Sequence, residues 1–162
     1  MSQRVELQRL VRYQYVESLL QGKRILEFGC GFGQGTAFLA ARAAQVIAVD
    51  ISPGSVINAC ERYKRPNITF EVTEPAQLDH PNESFDVALI PEMSRWKNNM
   101  EMISEIRRVL KPNGIAIFSV TTNSNNNAET LSLDELRERL AEEFVQIRTV
   151  GEIPFLGTTF AD

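Results

Sequence analysis

A short apolar segment that runs directly into clustered glycines constrains the fold most. Residues 24–28 are predicted to form a buried strand, and Gly29, Gly31 and Gly33 follow at alternate positions. Glycine has no Cβ and tolerates positive φ, so its backbone approaches a ligand closely. A strand that ends in such a turn before a helix is typical of open α/β sheets, which bind ligands at the carboxyl ends of their strands. The segment therefore predicts a ligand site at the end of the first strand.

Short apolar runs alternate with amphipathic helical stretches along the chain, which predicts parallel strands covered by helices. Apolar residues recur at helical spacing over residues 4–21, and Gly22 ends this helix. Further strands are predicted at residues 46–49, 68–72, 85–90, 115–120 and 145–150. We expect an α/β fold of the Rossmann-like, doubly wound kind, with a mostly parallel sheet of six to seven strands and helices on both faces.

The 162 residues fit a single domain. Within it we expect an N-terminal helix at residues 1–21, a ligand-binding core at 22–150, and an extension or last strand at 151–162. The sequence has no apolar signal segment at its start and no run of roughly 20 apolar residues, so a cytoplasmic location without membrane association is predicted. Cys30 and Cys60 match no metal-binding spacing, so no metal site is predicted.

The charge balance argues against a nucleic-acid partner. The net charge is −4, whereas proteins that neutralise phosphates normally carry a basic face. The local concentrations of basic residues fall at the ends of predicted helices, where cations interact favourably with the helix dipole. They comprise Arg62, Lys64 and Arg65, and then Arg107, Arg108 and Lys111.

The glycine spacing and two acids indicate which nucleoside the site takes. A dinucleotide-binding loop needs G-x-G-x-x-G, but Gln34 or Thr36 stands at the third glycine position, so a nucleotide-dependent oxidoreductase is disfavoured. Glu27 would repel a pyrophosphate and instead suits a cationic ligand such as S-adenosylmethionine. Asp50 ends the second predicted strand, where its carboxylate can accept hydrogen bonds from both hydroxyls of a ribose.

Four segments together resemble a known family. Residues 25–33 resemble motif I of the class I S-adenosylmethionine-dependent methyltransferases, in which an acid precedes alternating glycines. Residues 46–52, 84–90 and 106–114 resemble, in the family's order, the segment after motif I, the fourth strand, and the helix and turn before the fifth strand. The resemblance covers about residues 12–150 and is greatest to the small-molecule group called methyltransferase type 11.

The resemblance implies roles for residues around the methionine end of the cofactor. Glu27 would face the methionine amino group, and the backbone of Gly29, Cys30 and Gly31 would line the methionine portion. Pro91 falls where the family offers backbone to the same end.

At the adenosine end, the resemblance places the Asp50 carboxylate on the ribose hydroxyls, Ile51 against the adenine, and Glu74 on the adenine amine. Tyr13 resembles a residue of an N-terminal element that closes over the cofactor in some relatives, and core packing is an equal alternative for it.

Two positions depart from the family pattern. Pro75 stands where relatives offer a backbone N–H to the adenine ring, and proline has none. Where many small-molecule relatives read acid-x-x-x-His after strand four, Glu92 is followed by Trp96, so no catalytic base is identified. His80, the only histidine, is predicted to be a solvated loop residue.

These observations favour transfer of a methyl group from S-adenosylmethionine to a small-molecule acceptor, with S-adenosylhomocysteine as product. The alternative is a non-catalytic methyltransferase-like binding or interaction domain, as part of a longer protein. At the C-terminal segment, two alternatives stay open for Phe155, Leu156 and Phe160: they form a strand, or they form an exposed surface for a protein partner.

Overall fold

Five apolar segments of the chain form a parallel β-sheet in the computed structural model. The structure describes residues 13–14, 16–74, 76–93, 101–119, 133–146, 151–152 and 160–161. The strands of the sheet are β1 (Arg24–Phe28), β2 (Gln45–Asp50), β3 (Ile68–Val72), β4 (Phe85–Ile90) and β5 (Leu110–Phe118). They lie in the order β3-β2-β1-β4-β5, and every neighbouring pair is parallel. The predicted α/β, Rossmann-like class is confirmed.

Four helices connect or follow these strands: α1 (Gln34–Ala40), α2 (Pro53–Arg62), α3 (Glu101–Val109) and α4 (Leu133–Glu143). Helix α2 begins directly after Ser52, whose hydroxyl accepts a hydrogen bond from the Ser55 N–H at 3.3 Å. Pro53 occupies the first turn, where the N–H that proline lacks has no helical partner. Local sequence therefore sets the start of this helix.

The sheet buries both of its faces, which explains why its central strands are almost continuously apolar. Successive side chains of a strand point to opposite faces. Leu26 and Phe28 belong to a core cluster shared with α3 and α4. Ile25 belongs to a second cluster, shared with α1 and with Tyr13, Val16 and Leu20 of the N-terminal segment. Helices thus cover both faces, as predicted.

The ends of the chain differ from the prediction. Of the helix predicted over residues 1–21, the described part contains helical residues at 13 and 14 and a short 3-10 turn at Glu17–Leu19; residues 1–12 and 15 lie outside the described residues. Within the described residues the main sheet has five strands rather than six to seven.

The predicted strand at 145–150 does not begin at Val145, whose side chain is fully exposed; residues 147–150 lie outside the described residues. Instead, β6 (Gly151–Glu152) and β7 (Phe160–Ala161) form a separate antiparallel pair. Among the helices described, none is long and apolar enough to cross a membrane.

Candidate functional site

The loop after β1 adopts the conformation that its glycines predict. Gly31 and Gly33 have φ values of 54° and 82°, in the left-handed region that side chains disfavour. A Cβ on Gly33 would also lie 2.9 Å from the Tyr63 ring. The N–H of Gly29 donates to the Val49 carbonyl at 2.8 Å, which ties the loop to the end of β2. The backbone of the glycine loop therefore lies at the carboxyl edge of the sheet, and its conformation is fixed.

This edge is also where the order of the strands reverses. The chain proceeds outward from β1 through β2 to β3, then returns to place β4 on the other side of β1. Open α/β sheets bind ligands in the crevice at such a switch point. Glu27, Asp50, Glu74 and Pro91 lie on, or just beyond, the carboxyl ends of β1, β2, β3 and β4. The structure therefore brings four of the predicted site residues to one edge.

Asp50 links the two loops at the centre of this edge. Its Oδ2 atom accepts a hydrogen bond from the Gly31 N–H at 2.9 Å, and its Oδ1 atom accepts one from the Ser52 N–H at 2.9 Å. A carboxylate has about four acceptor positions, so these two bonds fix its orientation and leave acceptor capacity on both oxygens. The side chain is half-buried, so that capacity is accessible to a ligand.

Glu27 has a different environment, because its side chain is fully buried. The Tyr13 hydroxyl donates to Oε1 at 2.6 Å, and the Thr36 hydroxyl donates to Oε2 at 2.5 Å. Burial raises the pKa of Glu27 from 4.5 to about 7. The two hydroxyls lower the pKa and the negative charge of Asp50 raises it, but desolvation is the largest cause.

Sequence reasoning missed two of the residues that build this buried cluster. Thr36 lies in the first turn of α1, and its position just after the glycine loop is the signal that could have identified it. At Gly35, a Cβ would lie 2.2 Å from the Tyr13 ring and hydroxyl. Glycine at this position therefore makes room for Tyr13 to reach Glu27. Tyr13 itself is buried in the core and donates to the acid, which agrees with its core-packing alternative, and its role towards the cofactor stays a prediction.

The remaining predicted residues vary in exposure. Ile51 is 49% exposed just beyond β2, whereas Cys30 is buried in the loop. Desolvation strongly raises the pKa of the Cys30 thiol, and the charges of Glu27 and Asp50 raise it further. The thiol therefore stays protonated and contributes packing rather than nucleophilic chemistry. Glu74 is exposed and Pro91 is buried, and Pro75 lies outside the described residues.

His80 is not the solvated residue that the sequence predicts. Its Nε2 atom lies 3.0 Å from Glu71 Oε2, and its ring packs edge-on against Phe85 with centroids 5.2 Å apart. The side chain contacts one residue of β3 and one of β4, which a lone loop histidine does not reveal in sequence. Among the described residues, no group of three or more His, Cys, Asp or Glu side chains is placed to hold a metal ion.

Comparison with known proteins adds three similarities. The family profile described as "Methyltransferase domain" matches residues 25–114. Over 113 residues the chain is 33% identical to a phthiotriol/phenolphthiotriol dimycocerosates methyltransferase of Mycobacterium leprae, a match covering 68% of this chain and 42% of that protein. Over 95 residues it is 37% identical to a demethylmenaquinone methyltransferase of Tropheryma whipplei, covering 57% of this chain and 39% of that protein.

Among solved structures, the fold is similar to Haemonchus contortus phosphoethanolamine N-methyltransferase 2 in complex with S-adenosyl-L-methionine. The TM-score is 0.74 at 22% identity, and the match covers 90% of this chain and 38% of that chain. At this identity the similarity establishes a shared fold. The chain matches about two fifths of the length of these curated relatives.

Proposed function

The chain belongs to the class I S-adenosylmethionine-dependent methyltransferase family, and from that premise we propose that it transfers a methyl group from S-adenosylmethionine to a small-molecule acceptor. The observation that carries the proposal is the fixed, half-buried Asp50 carboxylate beside the backbone of the glycine loop. Both of its oxygens keep acceptor capacity for the two hydroxyls of a ribose.

In this proposal the edge of the sheet divides into an adenosine end and a methionine end. Asp50 accepts the ribose hydroxyls, the exposed Ile51 side chain packs on the adenine, and Glu74 accepts its amine. Pro75 provides no N–H to the ring, and this loss of one hydrogen bond weakens binding by about fivefold.

At the methionine end, the backbone of Gly29, Cys30 and Gly31 lines the cofactor, with Pro91 opposite at the end of β4. In its ionised form, Glu27 supplies negative charge for the amino group from beneath the loop. Because its side chain is fully buried and held by two hydroxyls, we propose that it acts through the field of its carboxylate or after Tyr13 moves.

The chemistry needs little beyond placement. Bound S-adenosylmethionine supplies an electrophilic methyl group, and the protein's part is to hold the acceptor in line with the sulfur–methyl bond. The residues described here orient the donor, and they supply no identified proton acceptor for a weakly acidic substrate. We therefore assign no catalytic residue.

The acceptor class follows from the relatives and the charge. The two curated relatives are named for phthiotriol dimycocerosates and demethylmenaquinone, and the net charge of −4 disfavours a nucleic acid. We propose a small-molecule acceptor for this chain, and one methyltransferase domain spanning residues 1–162. A protein partner at residues 151–162 stays a prediction.

A non-catalytic binding domain is the second candidate, and the closed Glu27 cluster favours it. With Tyr13 and Thr36 on its two oxygens, the acid is inaccessible in this arrangement. A domain that kept the methyltransferase fold but catalysed no reaction would keep Glu27 closed off by Tyr13 and Thr36 in this way.

Calorimetric titration of the purified chain with S-adenosylhomocysteine tests the shared premise of both candidates. We expect saturable binding of one equivalent. The absence of binding at millimolar ligand would contradict a working cofactor site. Formation of S-adenosylhomocysteine from S-adenosylmethionine that depends on an added small molecule would then distinguish the enzyme from the non-catalytic domain.

A further inference from the structure

The Arg108 side chain joins the end of α3 to the connection between β3 and β4. Its Nε and Nη2 atoms donate to the two carboxylate oxygens of Glu105, at 2.7 and 2.9 Å. Nη2 also donates to the Leu78 carbonyl at 3.0 Å. Nη1 donates to the His80 carbonyl at 2.8 Å and to Asn82 Oδ1 at 2.9 Å. The sequence predicts only a cation that interacts with a helix end, whereas the structure shows a guanidinium that binds three points of the connection.

Glu105 completes the contact from the same helix. Its Oε2 atom accepts a hydrogen bond from the Leu78 N–H at 3.2 Å. The N–H and the carbonyl of Leu78 are therefore both held by the Glu105–Arg108 pair. The Leu78 side chain is buried in the core cluster beneath. This residue is fixed through its backbone and its side chain at once.

A closed turn connects Leu78 to Glu74. The Gln77 N–H donates to the Glu74 carbonyl at 3.0 Å, and the Thr73 hydroxyl donates to the Gln77 carbonyl at 3.1 Å. The Thr73 N–H donates to the Asp50 carbonyl at 3.2 Å, which anchors the other end of the turn to β2. The backbone around Glu74 is thus hydrogen-bonded to Asp50 through Thr73, and to Gln77, which directly precedes Leu78.

We infer that Arg108 is a positioning residue for the adenine end of the cofactor site, because it fixes Leu78 and so sets where the turn presents Glu74. The inference rests on the proposed function, since it requires that Glu74 meets the adenine amine. A lysine cannot replace Arg108 here, because one ammonium group cannot reproduce a planar fork of five donors.

The test compares S-adenosylhomocysteine with S-inosylhomocysteine, in which a carbonyl oxygen replaces the adenine amine. Calorimetry on the purified chain should show that the wild type prefers the adenosyl compound by roughly tenfold, the loss expected for a hydrogen bond to a charged acceptor. We expect Arg108→Lys to reduce this preference to about twofold or less. General loosening of the fold would weaken both ligands equally and leave the preference unchanged.

Arg107→Lys is the matched control. Arg107 is the adjacent residue on α3 and is exposed, and its side chain makes no hydrogen bond or ion pair within the described residues. Both substitutions conserve charge. We expect the control to retain the wild-type preference and melting temperature.

A double substitution shows whether Arg108 acts through Glu74. Glu74→Gln alone should remove most of the preference, and adding Arg108→Lys should lower it no further. The inference would be contradicted if each single variant lost part of the ligand preference and the two losses added in the double variant.

The outcomes separate the inference from the proposed function. If the wild type binds neither ligand, the proposed function fails. If the wild type binds S-adenosylhomocysteine and Arg108→Lys keeps the full preference, the inference fails and the proposed function stands.

Should Arg108→Lys not fold, Glu105→Gln provides the same readout, because it removes one carboxylate acceptor shared by Arg108 and the Leu78 N–H; an unchanged preference there overturns the inference.

Discussion

Glu27 and Asp50 lie at the ends of neighbouring strands, yet their environments differ sharply. Glu27 is fully buried, and side-chain hydroxyls occupy both of its oxygens. Asp50 is half-buried, and backbone N–H groups orient it. The pKa of Glu27 rises to about 7 because burial disfavours its charge. We therefore expect Glu27 to contribute to the pH dependence of stability near neutral pH, and Asp50 to contribute to ligand binding as proposed above.

The largest expected effect concerns Glu27 and pH. Its pKa is about 7 in the folded state and 4.5 ordinarily, so the folded chain keeps a proton that the unfolded chain has lost. Its contribution is fully present below pH 4.5 and is lost as pH rises to about 7, which lowers the free energy of unfolding by about 3 kcal/mol. Urea unfolding at pH 5 to 7.5 measures this slope.

Glu27→Gln is the control for that measurement, because it removes the titration and keeps the size of the side chain. We expect a nearly flat profile. The carboxylates of Asp86 and Glu105 have lowered pKa values, mainly through the Arg24 N–H and the Arg108 guanidinium respectively. The contributions of these two carboxylates to stability are lost only as the pH falls below their ordinary pKa values. They therefore do not affect the slope measured above pH 5. An equal slope in Glu27→Gln would show that another group is responsible.

Asp50→Asn should act mainly on ligand binding and should change the pH profile of stability only slightly, because the charge of Asp50 is the smallest of the causes that shift the pKa of Glu27. Removing the charge and one acceptor oxygen should raise the Kd for S-adenosylhomocysteine about tenfold, since hydrogen bonds to a charged acceptor are the stronger ones. Calorimetry measures the change. Asp134→Asn, at an exposed site on α4, changes the net charge equally and should bind as the wild type does. Equal weakening in both variants would rule out a specific contact at Asp50.

Tyr13→Phe tests how much the hydrogen bonds from the two hydroxyls offset the cost of burying Glu27. Loss of the 2.6 Å hydrogen bond to Glu27 should lower the free energy of unfolding by about 1 kcal/mol. It should also raise the pKa of Glu27 further, because this bond lowers it. The pH range over which the free energy of unfolding decreases should then extend to higher pH. Chemical denaturation measures both effects. Tyr63→Phe, at a half-buried tyrosine, serves as the control, and equal losses in the two variants would contradict the role of Tyr13.

Pro75→Ala carries the smallest expected effect and extends the comparison to the end of β3. The substitution restores an N–H beside Glu74, and one additional hydrogen bond to the adenine should lower the Kd for S-adenosylhomocysteine by about fivefold. Calorimetry under the conditions used for Asp50→Asn gives the comparison. Unchanged affinity would show that the missing donor does not limit binding.

Much of the candidate site is predictable because its signals are local. The glycines after β1 show where positive φ is needed, and the apolar runs predict the strands that end at Glu27 and Asp50. Parallel pairing then brings those ends together without further information. At the last predicted strand only Val145 and residue 146 are described; neither is in a strand, and Val145 is fully exposed, since an apolar residue is held in a strand only where a neighbouring strand or core buries it.

The sequence by itself determined the five strands of the main sheet in their order along the chain, the left-handed glycine loop and the acid at the end of each of the first two strands, since these depend on neighbouring residues. Tertiary structure decided that Glu27 meets Tyr13, 14 residues away, and Thr36, 9 residues away. It also decided that Arg108 holds Leu78 across 30 residues. Burial and hydrogen-bond partners arise only when distant segments pack, so no local pattern specifies them.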